Sequence, residues 1–286
     1  MDQVVISGSG LWKPEEFVTN EELVEAYNAF AAKFNQTNAE KIAAGEIEEK
    51  PPSSVDFIEK ASGIKQRYTY SKAGILDIDR MRPKISVRSD NELSHQAEMA
   101  VAAARDALAA ANKSPADIDM VIVSCAYTQR AYPAIAIEVQ NELGIDGFGF
   151  DMLVACSAAT FALHRAYDAI AAGSARAVLV INPELTTPQV NFKDRDSHFI
   201  FGDVSTATVL ERKSTCEAEQ QFEVLGTKAE TEFSSNIRSN FGYVSFAEDT
   251  DPFGTDNLFR QNGRKVFKDV CPKAAEHLVN LVKDAG

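Results

Sequence analysis

The stretch FGFDMLVACSAATFALHRAYDAIAAGSARAVLVIN, residues 148–182, decides the fold. Its first nine residues are an apolar run too short for a helix and read as a buried strand. They pass without a linker into SAATFALHRAYDAIAAG (157–173), where apolar residues recur at helical spacing and a glycine closes the helix; AVLVIN (177–182) is a second strand. Upstream, LSHQAEMAVAAARDALAAA (93–111) is an alanine-rich helix, SPADID a capped turn, MVIVSCAY (120–127) a strand and AIAIEVQNELG (134–144) another helix. Strands alternating with helices of this length predict a parallel sheet covered on both faces.

Outside this block the pattern is looser. VVISGSG near the start reads as a short strand ending in a glycine turn; Trp12, Lys13 and Pro14 interrupt the helix that a nucleotide-binding G-x-G would need. Residues 20–34 form an amphipathic helix with Leu23, Ala26, Tyr27 and Phe30 on one face, 35–54 a polar surface insertion, and 70–90 an irregular stretch holding Arg80, Arg82, Lys84 and Arg88. That cluster is either a solvated loop or a contact for an acidic partner. After residue 212 the chain repeats itself: FEVLGTK (222–228) has the character of the opening strand, and 264–286 the length and pattern of the 93–111 helix. This divides the chain into residues 1–212 and 213–286. The repeat ends where the first copy goes on to a strand, which leaves Val266, Phe267, Leu278, Leu281 and Val282 short of a covering sheet and predicts an incomplete second half.

The 286 residues are 45% apolar and 25% charged, a globular composition with room for one large or two ordinary domains. A net charge of −13 repels phosphate backbones and anionic lipid, so nucleic acid and membrane surfaces are not expected partners. The four cysteines, Cys125, Cys156, Cys216 and Cys271, have neither disulfide-framework nor zinc spacing. With no basic-then-apolar leader and no run approaching ~18 apolar residues, the expected location is the cytoplasm.

Cys156 carries the chemistry. It stands where a buried strand turns into a helix of small residues, so free backbone N–H groups and the helix dipole stabilise negative charge beside it, and Ser157, Ala158 and Ala159 let a substrate approach the backbone. A nucleophile is one reading; a small thiol packed in the core is the other.

DMLVACSAATFAL (151–163) resembles the nucleophile segment of the β-ketoacyl-acyl-carrier-protein synthase III enzymes of the thiolase superfamily. TNEEL (19–23), ASGIKQR (61–67), AYPAIAIEVQNELGI (131–145), DRDSHFIFGDVSTATVL (194–210) and NGRKVF (262–267) resemble further pieces of that family in the same order. The resemblance implies an α/β fold of duplicated thiolase-like αβαβα layers, with the second half incomplete here. It implies a homodimer that uses no cofactor: Cys156 takes an acyl group from acyl-CoA, and malonyl-acyl-carrier protein condenses with it, losing carbon dioxide, in fatty acid synthesis. By the same resemblance Phe57 stacks on the CoA adenine, Arg195 meets the nucleotide and its phosphates, Tyr132 enters the partner's acyl channel and Phe201 lines the channel. Ordinary packing remains the alternative for Phe57, Tyr132 and Phe201, and an ion pair with Asp194 or Asp196 for Arg195.

The family also uses a histidine, an asparagine and a glycine-rich loop from its second half, and none of the four histidines here stands in a matching context. The chain alone is therefore expected not to condense. Two alternatives follow: a non-catalytic acyl-CoA-binding subunit or half of a split enzyme, and another condensing enzyme of the superfamily. The longer first half suggests primers from acetyl to medium-chain. The acidic carrier protein would need a positive patch, for which Arg80, Arg82, Lys84 and Arg88 are the candidates.

Overall fold

The computed structural model describes residues 3–251 and 254–286. In chain order these form β1 (Val4–Trp12), β2 (Phe17–Thr19), α1 (Asn20–Thr37), α2 (Ala39–Ala43), α3 (Val55–Ser62), β3 (Gln66–Tyr68), α4 (His95–Ala110), β4 (Met120–Cys125), α5 (Ile135–Leu143), β5 (Phe148–Leu153), α6 (Ala158–Ala171), β6 (Ala177–Glu184), β7 (Val204–Arg212), β8 (Phe222–Glu223), β9 (Ile237–Arg238), β10 (Arg260–Gln261) and α7 (Gly263–Ala285).

Six strands make the central sheet in the order β5-β4-β6-β7-β1-β8. Strands β5, β4 and β6 run parallel, as their helical crossovers require, with α6 carrying the chain from β5 past β4 to β6. The sheet is mixed, however: β7 runs antiparallel to both β6 and β1. The all-parallel expectation fails there because β6 reaches β7 through the irregular stretch 185–203 and not through a crossover helix. The expected strand over 222–228 shrinks to Phe222 and Glu223, which pair with Ile6 and Val5 and so extend this same sheet.

Period-two alternation divides the side chains of the central strands between two cores. Val121, Val123, Leu179, Ile181 and Val209 face the alanine stripe of α4 and the start of α5. Ile122, Val178, Val180 and Leu210 face Ala162, Ala166 and Ile170 of α6. Both faces are thus covered, which is why MVIVSC and AVLVIN read as continuous apolar runs. Alanines let α4 lie close to β1: a Cβ built on Gly8 would sit 2.3 Å from the Ala107 carbonyl oxygen, and one on Gly10 2.0 Å from that of Ala103. The strand continues through both glycines, so they serve helix approach and not a turn.

A third core joins α1, α3 and the irregular segments, with Leu23, Tyr27, Ile58, Ile75, Phe192 and Phe199 buried together. Here α1 runs to Thr37, into the segment read as a polar insertion, and α2 follows it. A capping box starts α1: the Thr19 hydroxyl accepts from the Glu22 N–H and the Glu22 carboxylate from the Thr19 N–H. Thr19→Ala is expected to cost about 1 kcal/mol, a fall of ~2–4 °C in melting temperature by scanning calorimetry. In α7, by contrast, no described side chain is buried; Phe267 is 70%, Leu278 61% and Val282 69% exposed. No helix among the described residues is long and apolar enough to cross a membrane.

Candidate active site

Strand β5 ends at Leu153, and one turn of 3-10 helix, Ala155–Ser157, leads into α6. Ala155 has φ +45°, a left-handed conformation that costs a residue with a Cβ about 1–2 kcal/mol. That kink turns the chain sharply between sheet and helix and leaves Cys156 exposed at the turn. Cys156 is thus not packed in the core of this chain. Cys125 shows what a packed thiol looks like in this protein: it is fully buried at the end of β4, donates to the Tyr127 carbonyl at 3.1 Å, and burial pushes its pKa up.

The ends of the parallel strands are fixed by half-buried and buried polar groups. Asp151 accepts from the Ile135 and Ala136 N–H groups, both at 2.8 Å, and so caps α5; burial raises its pKa. Glu184, also raised by burial, accepts from the Ala126 N–H. Gln96 was not legible as a site residue, yet its amide N–H groups reach the Tyr127 and Pro183 carbonyls and its oxygen accepts from the Gln129 N–H. The loop held in this way carries Tyr132, whose side chain is 83% exposed.

Phe57 and Arg195, separate in sequence, meet in space. The Arg195 guanidinium carbon lies 3.8 Å from the centre of the Phe57 ring, and its Nε donates to the Pro52 carbonyl at 2.8 Å. The Asp196 contact, at 3.4 Å, is secondary. Phe201 packs edge-to-face on Phe259 with ring centres 4.7 Å apart. Phe259 was missed in the sequence, where its only signal was an apolar pair, Leu258 and Phe259, inside a polar stretch.

Three of the four histidines pair with neighbouring groups, and the fourth is packed in a core. His95 is buried, with Nδ1 bonded to the Tyr70 hydroxyl and Nε2 to the Ser86 carbonyl, because the 70–90 segment folds over α4. His164 pairs with Asp168 of its own helix at 3.7 Å, and His277 with Glu230 at 3.4 Å. His198 is fully buried against Tyr27 and Phe199. Of the basic cluster, Arg80 donates to the Arg82 and Pro83 carbonyls and Arg88 to Glu98, Tyr70 and the Leu93 carbonyl. These two fix the segment's own shape, which leaves Arg82 and Lys84 as its exposed cations. Among the described residues no group of three His, Cys, Asp or Glu side chains could hold a metal ion.

An exposed cysteine on a strained strand-to-helix turn, with no histidine beside it in sequence, fits several thiol chemistries; similarity narrows them. The family profile described as 3-oxoacyl-[acyl-carrier-protein (ACP)] synthase III matches residues 150–232, the segment containing Cys156. A Pseudomonas aeruginosa protein described as β-ketodecanoyl-[acyl-carrier-protein] synthase is 54% identical over 253 residues, 88% of this chain and 72% of that protein. A β-ketoacyl-[acyl-carrier-protein] synthase III of Chelativorans sp. is 31% identical over 242 residues, 84% of this chain and 67% of that protein. The chain belongs to the 3-oxoacyl-acyl-carrier-protein synthase III family. Its thiolase-like fold agrees with the family's: the Aquifex aeolicus 3-oxoacyl-[acyl-carrier-protein] synthase III structure superposes with a TM-score of 0.71, covering 99% of this chain and 72% of that one at 24% identity. The Pseudomonas aeruginosa synthase III structure gives the same TM-score at 19% identity, over 99% of this chain and 71% of that one. The expectation of a missing C-terminal part is not supported by these family matches, which run over most of this chain.

Proposed function

We propose that this protein is a β-ketoacyl-acyl-carrier-protein synthase of fatty acid synthesis that loads a medium-chain acyl group on Cys156. The observation that carries the proposal is the exposed Cys156 on its strained turn, inside the segment matched by the family profile. The Cys156 sulfur attacks the acyl-CoA carbonyl carbon; the bond to the CoA sulfur breaks, and CoA leaves with the proton the cysteine gives up. Backbone N–H groups at the start of α6 are the donors at hand for the oxyanion. Decarboxylation of malonyl-acyl-carrier protein then supplies the carbanion that takes the acyl group from Cys156. This chemistry needs acyl-CoA and the carrier protein as substrates and no cofactor. A β-ketodecanoyl product, the word in the name of the Pseudomonas aeruginosa relative, contains a two-carbon extension of an eight-carbon primer, which is why medium-chain acyl-CoA is the proposed donor.

We also read residues 1–212 and 213–286 as the two thiolase-like halves, and the protein as a homodimer. β5 is an edge strand of the sheet, and Phe148, Phe150, Leu153 and Ile137 around it are exposed. Pairing of two β5 edges covers these side chains and brings exposed Tyr132 to the partner. Phe57 with Arg195 is the proposed nucleotide contact, and Phe201 with Phe259 the proposed channel wall.

Intact-mass spectrometry after exposure to octanoyl-CoA and acetyl-CoA tests the reading. The expected result is an octanoyl adduct larger in yield than the acetyl one, and none on Cys156→Ala. A folded protein that takes no adduct, or an adduct that survives in Cys156→Ala, overturns it.

A further inference from the structure

The insertion at 35–54 lies against the loop that carries Arg195. Asn35 on α1 clasps the backbone of Lys50 with two hydrogen bonds, its Nδ2 donating to the Lys50 carbonyl at 3.0 Å and its Oδ1 accepting from the Lys50 N–H at 2.9 Å. So held, the Lys50 ammonium stands 5.7 Å from the centre of the Phe30 ring and 5.0 Å from that of Phe34. The Lys193 ammonium, from the facing loop, stands 5.4 Å from the Phe30 ring. Lys50 Nζ also reaches the Lys193 carbonyl at 3.5 Å. Both side chains are half-buried, and among the described residues neither has a carboxylate within ion-pair distance.

These groups line a cleft of about 530 Å³ whose apolar walls are Phe30, Phe34 and Phe259. Of its two carboxylates, Asp194 is turned toward the Ser197 hydroxyl and the Asp196 N–H, from which it accepts, and Asp256 pairs with Arg260 at 3.4 Å. Lys50, Lys193 and Arg260 against Asp194 and Asp256 leave this cleft with one net positive charge in a chain of net charge −13, and neither ammonium is held by a direct ion pair. Lys193 lies two residues before Arg195 in sequence, and Lys50 two residues before Pro52, whose carbonyl Arg195 holds.

We infer that Lys50 and Lys193 form a phosphate subsite that takes the ribose 3′-phosphate of the acyl-CoA donor. The inference rests on the proposed acyl-CoA reading and adds to it a residue of the insertion. A phosphate monoester carries close to two negative charges at neutral pH, matching two ammoniums, each of which acts as a compact point charge with three donors. Apolar walls lower the local dielectric and strengthen both contacts.

Calorimetric titration with CoA and with 3′-dephospho-CoA separates this from the general reading. The folded wild-type chain is expected to bind CoA about tenfold more tightly than dephospho-CoA, the scale of a charge-assisted contact to phosphate. Lys50→Ala with Lys193→Ala is expected to bind both alike, at the dephospho-CoA affinity; Lys50→Gln with Lys193→Gln, which keeps the stems over the rings, repeats the result if the alanine pair unfolds. Equal affinities in the wild type, or a preference that persists in both double variants, overturns the phosphate subsite and leaves the acyl-CoA reading intact. Binding of neither compound by the wild type overturns both.

Discussion

Gly10→Ala is expected to lower the melting temperature by about 10 °C, a loss of ~3 kcal/mol or more at the upper end of overpacking effects. The added methyl would lie 2.0 Å from the Ala103 carbonyl oxygen and 2.5 Å from the Ala107 nitrogen, both backbone atoms that no side-chain rotation can clear. Helix α4 must therefore move off β1, and it is the helix that covers β1, β6 and β7 on one face of the sheet. Gly242→Ala is the control, because a Cβ there meets nothing within 4 Å and its backbone is extended. Thermal unfolding of the two variants beside the wild type decides the matter: equal melting temperatures would show that α4 does not lie against β1 as described.

The second large effect depends on pH. His198 is fully buried, and neither ring nitrogen makes a hydrogen bond of full geometry. Burial is the main cause that pushes its pKa down to about 4, with the Arg67 and Arg195 charges adding to it, and the Phe192 backbone and Asp194 opposing it. The folded state thus refuses a proton that the unfolded chain accepts near pH 6.5. Because the unfolded state binds more protons in this window, stability falls as pH drops from about 6.5 to about 4, by roughly 3 kcal/mol in all. Buried Asp203 and half-buried Glu184 and Asp151 have raised pKa values and act with the opposite sign, gaining stability as pH falls. His198→Phe removes the histidine contribution alone. Urea unfolding at pH 7 and pH 4.5 is expected to show a larger acid loss in the wild type than in His198→Phe; parallel losses would refute the assignment.

What the sequence made legible follows from how local each signal is. The strand-to-helix turn at Cys156 is written in adjacent residues, and so are the alanine helix and the cap at Thr19. The antiparallel insertion of β7 between β6 and β1 is a long-range choice that no short pattern records. Nothing local marks His95 as buried, because it is the folded 70–90 segment that covers it. Lys50 lay in a polar, proline-containing stretch, and its position depends on an Asn35 clasp fifteen residues away. Phe57 and Arg195 were placed by family resemblance; their contact is a tertiary fact. The glycines at 8 and 10 read locally as a turn, and only the helix above them shows that they serve close approach.

The open β5 edge also bears on how the protein reaches its folded state. Collapse of one chain is first order in protein, whereas pairing through an edge flanked by Phe148 and Phe150 is second order. Dilution therefore favours completion of each sheet, with α5 and α6 seated, before two chains meet. At high concentration the same exposed backbone groups meet partners whose sheets are still unfinished, and association then traps chains in the wrong register. If the β5 edges pair as proposed, yield on refolding is expected to fall as protein concentration rises.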